Sequence, residues 1–226
     1  MKIIISLLSI ITLTTTIYSQ SIKKNYKGKN KFAYTATWEN LETNTSFVDV
    51  YHMKTRRDFL PRGKQRVIYK YFPNPYIDTN TVFYIDSIFY PNFSKEHVVR
   101  QYTKNTNLNI TSIFENKKEL WFHPARNRMY ILFELAPFPE VSRDTTAWKR
   151  EVITGSNSYG ALASSSIKST YEQETTDNEN YIVTATSTSK IGKVEAIYTY
   201  SNEFGFTEME FWFFDKLHLT IEITKL

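Results

Sequence analysis

The chain has 226 residues, with 28 Lys and Arg against 23 Asp and Glu, 16 Phe, 16 Tyr and 4 Trp, but only 6 Gly, 7 Pro and no Cys. The aromatic content excludes intrinsic disorder, and the low Gly and Pro counts exclude a collagen-like chain. Without cysteine there is no disulfide framework, thiol chemistry, zinc ribbon, iron–sulfur cluster or lipid attachment through an N-terminal cysteine.

The chain opens as an export signal. Lys2 precedes an apolar run over residues 3–17, broken only by Ser and Thr, which gives way to Tyr18, Ser19 and Gln20. The run is shorter than the roughly 20 residues that span a bilayer, and small Ser19 suits the position before a cleavage site. The expectation is a signal peptide over 1–19 and a single β-rich domain over 20–226, exported to the periplasm or beyond and with no transmembrane segment after cleavage.

Charge is concentrated next. Residues 20–70 hold 12 basic and 4 acidic side chains, whereas 71–226 hold 15 and 19. The excess lies in an arm with Lys23, Lys24, Lys27, Lys29 and Lys31 and in a cluster of Arg56, Arg57, Arg62, Lys64 and Arg66. Such clusters suit a polyanion. For an exported chain that means an anionic envelope surface rather than nucleic acid; a solvated tail and an exposed hairpin loop account for the same residues without a partner.

Hydrophobic period then sets the fold class. Leu217, Leu219, Ile221 and Ile223 alternate with His218, Thr220, Glu222 and Thr224, which is a strand with one buried face. Residues 206–214 read as its hairpin partner across Asp215 and Lys216. Runs rich in β-branched and aromatic residues at 31–38, 46–53, 65–72, 82–90, 109–114, 119–122, 129–135, 149–154, 166–172, 181–187 and 194–200 read as further strands. The only helix signal is at 94–99, with Ser94 as its N-cap. The fold expected is all-β or β-dominated α+β: a large antiparallel sheet, either a curved half-barrel or a sandwich, with few short helices. Pro137 and Pro139, with the polar stretch after them, mark a sub-boundary near 137–146 within one continuous domain.

Motifs for chemistry are missing. His52, His97, His123 and His218 stand apart from any zinc-type spacing, and neither a phosphate-binding glycine loop nor a nucleophile elbow is present in a convincing setting. No catalytic residue, metal site or cofactor is assigned. The densest unusual text is Leu120-Trp121-Phe122-His123-Pro124-Ala125-Arg126, where Trp121, Phe122, His123 and Arg126 suit a ligand rim, with Trp121 stacking and Arg126 holding an anion. The same residues also suit a strand end that closes the core.

The order of Trp148, the 181–187 strand, the Ser189–Lys193 hairpin, Tyr198-Thr199-Tyr200 and Asn202-Glu203-Phe204-Gly205-Phe206 resembles uncharacterised secreted proteins of Bacteroidetes, as do Leu120-Trp121-Phe122-His123-Pro124 and Glu134-Leu135-Ala136-Pro137-Phe138-Pro139. The resemblance covers roughly the last 110 residues. More remotely, the C-terminal pattern is similar to the outer-membrane lipoprotein-carrier (LolA/LolB-like) fold, which implies a curved sheet around an apolar cavity and carries over no functional residue. Three functions follow as expectations: a non-catalytic envelope protein holding a lipid-like or amphipathic ligand in a concave sheet, a protein- or glycan-binding surface component, and a hydrolase of envelope polymers.

Overall fold

The computed structural model describes residues 25–26, 29–59, 64–72, 78–90, 92, 94–97, 108–125, 128–154, 162–176 and 180–226. The predicted signal peptide lies outside them.

Twelve strands form one sheet: β1 (Lys31–Asn40), β2 (Thr45–Phe59), β3 (Lys64–Tyr71), β4 (Leu108–Glu115), β5 (Glu119–Phe122), β6 (Glu140–Ser142), β7 (Ala147–Ile153), β8 (Ser166–Thr175), β9 (Tyr181–Thr188), β10 (Lys193–Ser201), β11 (Gly205–Phe213) and β12 (Leu217–Lys225). Their order is β6-β5-β4-β3-β2-β1-β12-β11-β10-β9-β8-β7, antiparallel throughout. The chain steps outward from β1 to one edge, crosses to the opposite edge and steps back until β12 pairs with β1.

This order dictates the curvature. A flat sheet of twelve strands would be about 50 Å wide. Yet the edge strands β6 and β7 are separated only by residues 143–146, a link that spans at most about 18 Å. The sheet must therefore roll until its edges face one another. Of the two architectures expected, the curved one is found and the sandwich is not.

Alternation along each strand separates an inner from an outer face. Phe32, Tyr34, Ala36 and Trp38 of β1 and Leu217, Leu219, Ile221 and Ile223 of β12 are buried inward, while their neighbours face out. The inner face carries a tyrosine-rich layer in which Tyr34 stacks on Tyr51 at 4.7 Å and Tyr130 meets Tyr51 and Tyr71 at 4.9 and 5.6 Å. Burial pushes the hydroxyls of Tyr26, Tyr34, Tyr51 and Tyr198 well above the ordinary tyrosine range, so these groups remain neutral.

Two segments expected as strands are helical. Residues 82–90 belong to helix α1 (Thr79–Phe89), capped by Asp78, whose carboxylate accepts from the Asn80 N–H at 3.0 Å and the Thr81 hydroxyl at 2.6 Å. Its buried residues Val82, Ile85 and Phe89 lie three and four apart, which is a helical stripe. Residues 129–135 fall largely in a 3-10 helix, Arg128–Glu134. There Tyr130, Ile131, Leu132 and Phe133 are all buried in succession, a pattern that no strand with one wet face can give.

The 3-10 helix and the turn after it pack against the inner face of the rolled sheet. Tyr130 donates to the buried carboxylate of Asp49 at 3.0 Å. Beyond it, inward hydroxyls of three adjacent strands hold the main chain: Tyr198 donates to the Pro137 carbonyl at 2.6 Å, Ser187 donates to the Leu135 carbonyl, and the Tyr171 hydroxyl accepts the Phe138 N–H at 3.1 Å. The helix expected at 94–99 is present as a turn over 95–97, where the Ser94 hydroxyl accepts the His97 N–H at 3.3 Å; residues 98–99 lie outside the described set.

The two edges meet at a seam that no strand ladder closes. Gln173 of β8 reaches Ser142 of β6, Arg150 of β7 pairs with Glu140 of β6, and the Gln173 N–H donates to the Thr146 carbonyl at 2.7 Å. The sub-boundary considered near 137–146 falls at this link. The expected hairpin at Asp215 and Lys216 is centred one residue earlier, on Phe214 and Asp215, both at positive φ, with the Lys216 N–H donating to the Phe213 carbonyl at 3.0 Å.

Candidate functional site

The outer face of β2–β4 is assembled by strand register. In one row Ala33, His52, Lys70 and Leu108 lie side by side; in the next come Lys31, Lys54, Ile68 and Ile110. Arg66 pairs with Ser112, and Lys64 pairs with Phe114 and lies 4.8 Å from the centre of the Trp121 ring. Lys31, Lys54, Arg56 and Lys70 are exposed, and Lys64 and Arg66 are half-buried. Among the described side chains on this outward face of β2–β4 there is no carboxylate: Asp49 is 1% exposed and turned inward, and Glu115 accepts the Tyr26 N–H on the inner side.

The same face exposes large apolar groups. Val48, Val50, Leu108 and Ile110 are 45%, 38%, 53% and 58% exposed. Cations and branched aliphatic side chains therefore share one surface about four strands wide. Two of the cations, Lys31 and Lys54, stand directly opposite each other. Cross-strand neighbours are about 5 Å apart at Cβ, so like charges there repel.

Carboxylates cluster elsewhere on the outer face. Glu195, Glu208, Glu210 and Glu222 lie on the outward positions of β10–β12, with Glu208 opposite Glu222. His218 sits among them, its Nδ1 2.8 Å from Glu39 and its Nε2 3.3 Å from Glu210, stacked on Trp212 at 4.9 Å.

Of the basic cluster named from the sequence, Arg56, Lys64 and Arg66 belong to the β2–β4 face. Arg57 lies within β2, but its side chain is outside the described set, as is Arg62. Lys23, Lys24 and Lys27 of the basic arm are also outside, whereas Lys31 joins the face. Lys54, Lys70 and the four exposed aliphatic residues were not singled out. Their signal was in the sequence only as the outward alternate positions of β2–β4, and which alternate set faces out depends on register.

Of the four residues proposed as a ligand rim, the three that are described do not converge. Trp121 is on the outer side, stacked on Phe114 at 6.1 Å and flanked by Lys64 and by Arg150 at 6.0 Å. Phe122 points the other way, into the core against Phe206 at 5.2 Å. His123 is 7% exposed, its ring 4.7 Å from Phe138 and its carbonyl accepting from the hydroxyls of Tyr69 and Thr111. Arg126 lies outside the described residues.

A pocket at the seam, lined by Phe138, Arg150, Ile167 and Tyr171, has a volume of about 20 Å³, room for one water. Among the described residues no group of three or more His, Cys, Asp or Glu is placed to hold a metal ion, and no helix is long and apolar enough to cross a membrane.

No family model and no curated protein matches the chain. Among solved structures it is similar to a protein described as exported, with a YmcC-like fold, from Bacteroides fragilis NCTC 9343, at 5% identity and a TM-score of 0.40, over 90% of this chain and 97% of that one. It is also similar to a protein described as a lipoprotein from Parabacteroides distasonis ATCC 8503, at 9% identity and a TM-score of 0.37, over 90% of this chain and 97% of that one. Both come from Bacteroidetes. The likeness to the lipoprotein-carrier fold is not shown.

Proposed function

We propose that this is an exported, non-catalytic binding protein of the cell envelope that rests on an anionic lipid surface through the outward face of β2–β4. The observation that carries this reading is the Lys31 and Lys54 opposition, set among four further cations and next to exposed Val50 and Ile110. Like charges held in register are relieved by a surface of opposite charge, each cation near such a surface contributing about 1 kcal/mol. The aliphatic groups favour lipid headgroups over an acidic polysaccharide, because their burial in an interface is itself favourable. Export rests on the apolar N-terminal run. An amphipathic ligand inside the sheet has less support, since Tyr130–Phe133 and Leu135 occupy the inner face where it would sit.

Co-sedimentation with vesicles tests the reading. Binding to phosphatidylglycerol vesicles is expected at low salt, with little to phosphatidylcholine. Replacing Lys31, Lys54, Arg66 and Lys70 by Gln should weaken it on the order of a thousandfold with the fold intact by circular dichroism. Undiminished binding by that variant overturns the reading.

A further inference from the structure

The two edges of the sheet are not equally covered. Glu140 of β6 stands beside Trp121 on the outward side of β5–β6, yet it is 3% exposed. Its cover is β7: Arg150, on the inward side of that strand, donates to Glu140 at 2.6 Å and lies 6.0 Å from the Trp121 ring. The roll therefore overlaps at its seam, with β7 lapped over the outside of β5–β6 and its own edge left clear. Along β7 the Thr146 carbonyl accepts the Gln173 N–H at 2.7 Å and the Thr154 N–H donates to the Ser165 carbonyl at 2.9 Å. Antiparallel alternation between these two points aims the main-chain groups of Trp148, Arg150 and Val152 at β8, and those of Ala147, Lys149, Glu151 and Ile153 away from it.

The Thr145 hydroxyl serves both main-chain groups of Ala147, donating to its carbonyl at 2.7 Å and accepting its N–H at 3.2 Å. Among the described residues the N–H and C=O of Lys149, Glu151 and Ile153 have no partner, and β7 is the last strand of the sheet. All three residues are exposed, Ile153 at 77%. An unpaired edge is a template for another strand unless its side chains forbid it, and an outward lysine is a common guard. Here Lys149 is followed two residues on by Glu151, whose carboxylate accepts from the neutral Ser166 hydroxyl at 2.5 Å and whose neighbour across the β7–β8 ladder is Lys168. A lysine and a glutamate at this spacing do not refuse every strand; they refuse those that set like charge against like.

We propose that two copies of this chain join through β7, paired antiparallel about a two-fold axis at Arg150. In that register Lys149 stands opposite Glu151 of the second copy and Glu151 opposite its Lys149, so the unpaired N–H and C=O groups of both residues exchange hydrogen bonds in both directions. The same symmetry sets exposed Ile153 beside Ala147 of the second copy, a side chain too small to obstruct it. Arg150 meets its own counterpart across the axis, and each is neutralised by the Glu140 of its own chain. A register shift of two residues either way sets Lys149 against Lys149 or Glu151 against Glu151, and like charges directly opposite are unfavourable. The charge pattern thus suits a second copy of the same strand in one register. Such a contact closes on itself and gives a dimer, not a fibre. It stands whether or not the β2–β4 face binds lipid.

Sedimentation equilibrium at low ionic strength, at concentrations up to about 0.5 mM, reads the association. The wild type should form a dimer. Lys149→Glu and Glu151→Lys should each weaken it about tenfold or more with circular dichroism unchanged, because each puts two like pairs where two opposite pairs stood. Mixed in equal amounts, those two variants should form a heterodimer about as tight as the wild-type dimer, since both pairs flanking the axis are then Glu with Lys. That recovery is specific to this register, and a variant that merely misfolds cannot show it. A wild type that stays monomeric, a dimer indifferent to either substitution, or two variants that fail to associate on mixing overturns the proposal.

Discussion

The side-chain amide of Gln173 holds both main-chain groups of Ser142: its Oε1 accepts the Ser142 N–H at 3.0 Å and its Nε2 donates to the Ser142 carbonyl at 2.5 Å. The amide thereby does for β6 what the peptide of a neighbouring strand would do. An unpaired edge is a template for association with other chains, and here one side chain from β8 shields it. Gln173→Leu leaves both groups of Ser142 without a partner and should cost about 2–4 kcal/mol, read as a lower urea midpoint, together with a greater tendency to aggregate.

The ion pair beside it should behave asymmetrically. Glu140 is 3% exposed and Arg150 is 34% exposed, so removing the arginine strands a carboxylate in the interior. Arg150→Met is expected to destabilise by about 3 kcal/mol, whereas the double variant Arg150→Met with Glu140→Leu should lose much less. Denaturant unfolding of the two variants and the wild type measures the difference. Equal losses would show that Glu140 finds another partner.

Gly205 and Tyr26 tie the start of the described chain to the β10–β11 turn. The Phe206 N–H donates to the Tyr26 hydroxyl at 2.9 Å. Gly205 has φ of +89°, and a Cβ there would lie 2.7 Å from that hydroxyl. Gly205→Ala combines a clash with a disfavoured backbone and should cost at least about 2 kcal/mol. Tyr26→Phe keeps the packing but orphans a buried N–H, at about 1–2 kcal/mol. Thermal unfolding should rank the two in that order.

Asp86 on α1 makes a pH prediction. Burial pushes its carboxyl up to about 6, with the charge of His97 acting the other way. Because the folded value exceeds the unfolded one, the folded state binds the proton more tightly, and this contribution is complete at low pH and lost as pH rises through about 6. Asp86→Asn should remove that decline and raise stability at neutral pH by roughly 1 kcal/mol after solvent screening. Urea midpoints from about pH 4 to pH 7 test it; parallel curves for variant and wild type would show that the carboxyl titrates normally.

Period-two alternation made most of the sheet legible, because each strand has one wet and one dry face. It failed where that condition fails. Residues 129–135 are β-branched and aromatic, yet they lie inside the roll with protein on every side, so tertiary enclosure overrode local preference. The helical stripe of Val82, Ile85 and Phe89 was hidden by intervening Phe83, Tyr84 and Ile88, and its cap, Asp78, precedes the apolar run by four residues. β6 is three residues long and follows Pro139, too short to show alternation. The charged surface was legible in part: Arg56, Lys64 and Arg66 flank one hairpin and are close in sequence. Lys31, Lys54, Lys70 and Ile110 come from four different strands, and only register brings them together.

The absence of cysteine permits single-site labelling, which gives the most direct measurement of where the protein meets a surface. Ile110→Cys and Ile182→Cys, each carrying an environment-sensitive fluorophore, place probes on the outer faces of β4 and β9, at positions 58% and 38% exposed. On addition of phosphatidylglycerol vesicles at low salt, the probe at 110 should shift to shorter wavelength as it enters the interface, and the probe at 182 should not. An unchanged spectrum at 110, or equal shifts at both positions, would contradict the assignment of the β2–β4 face as the binding surface.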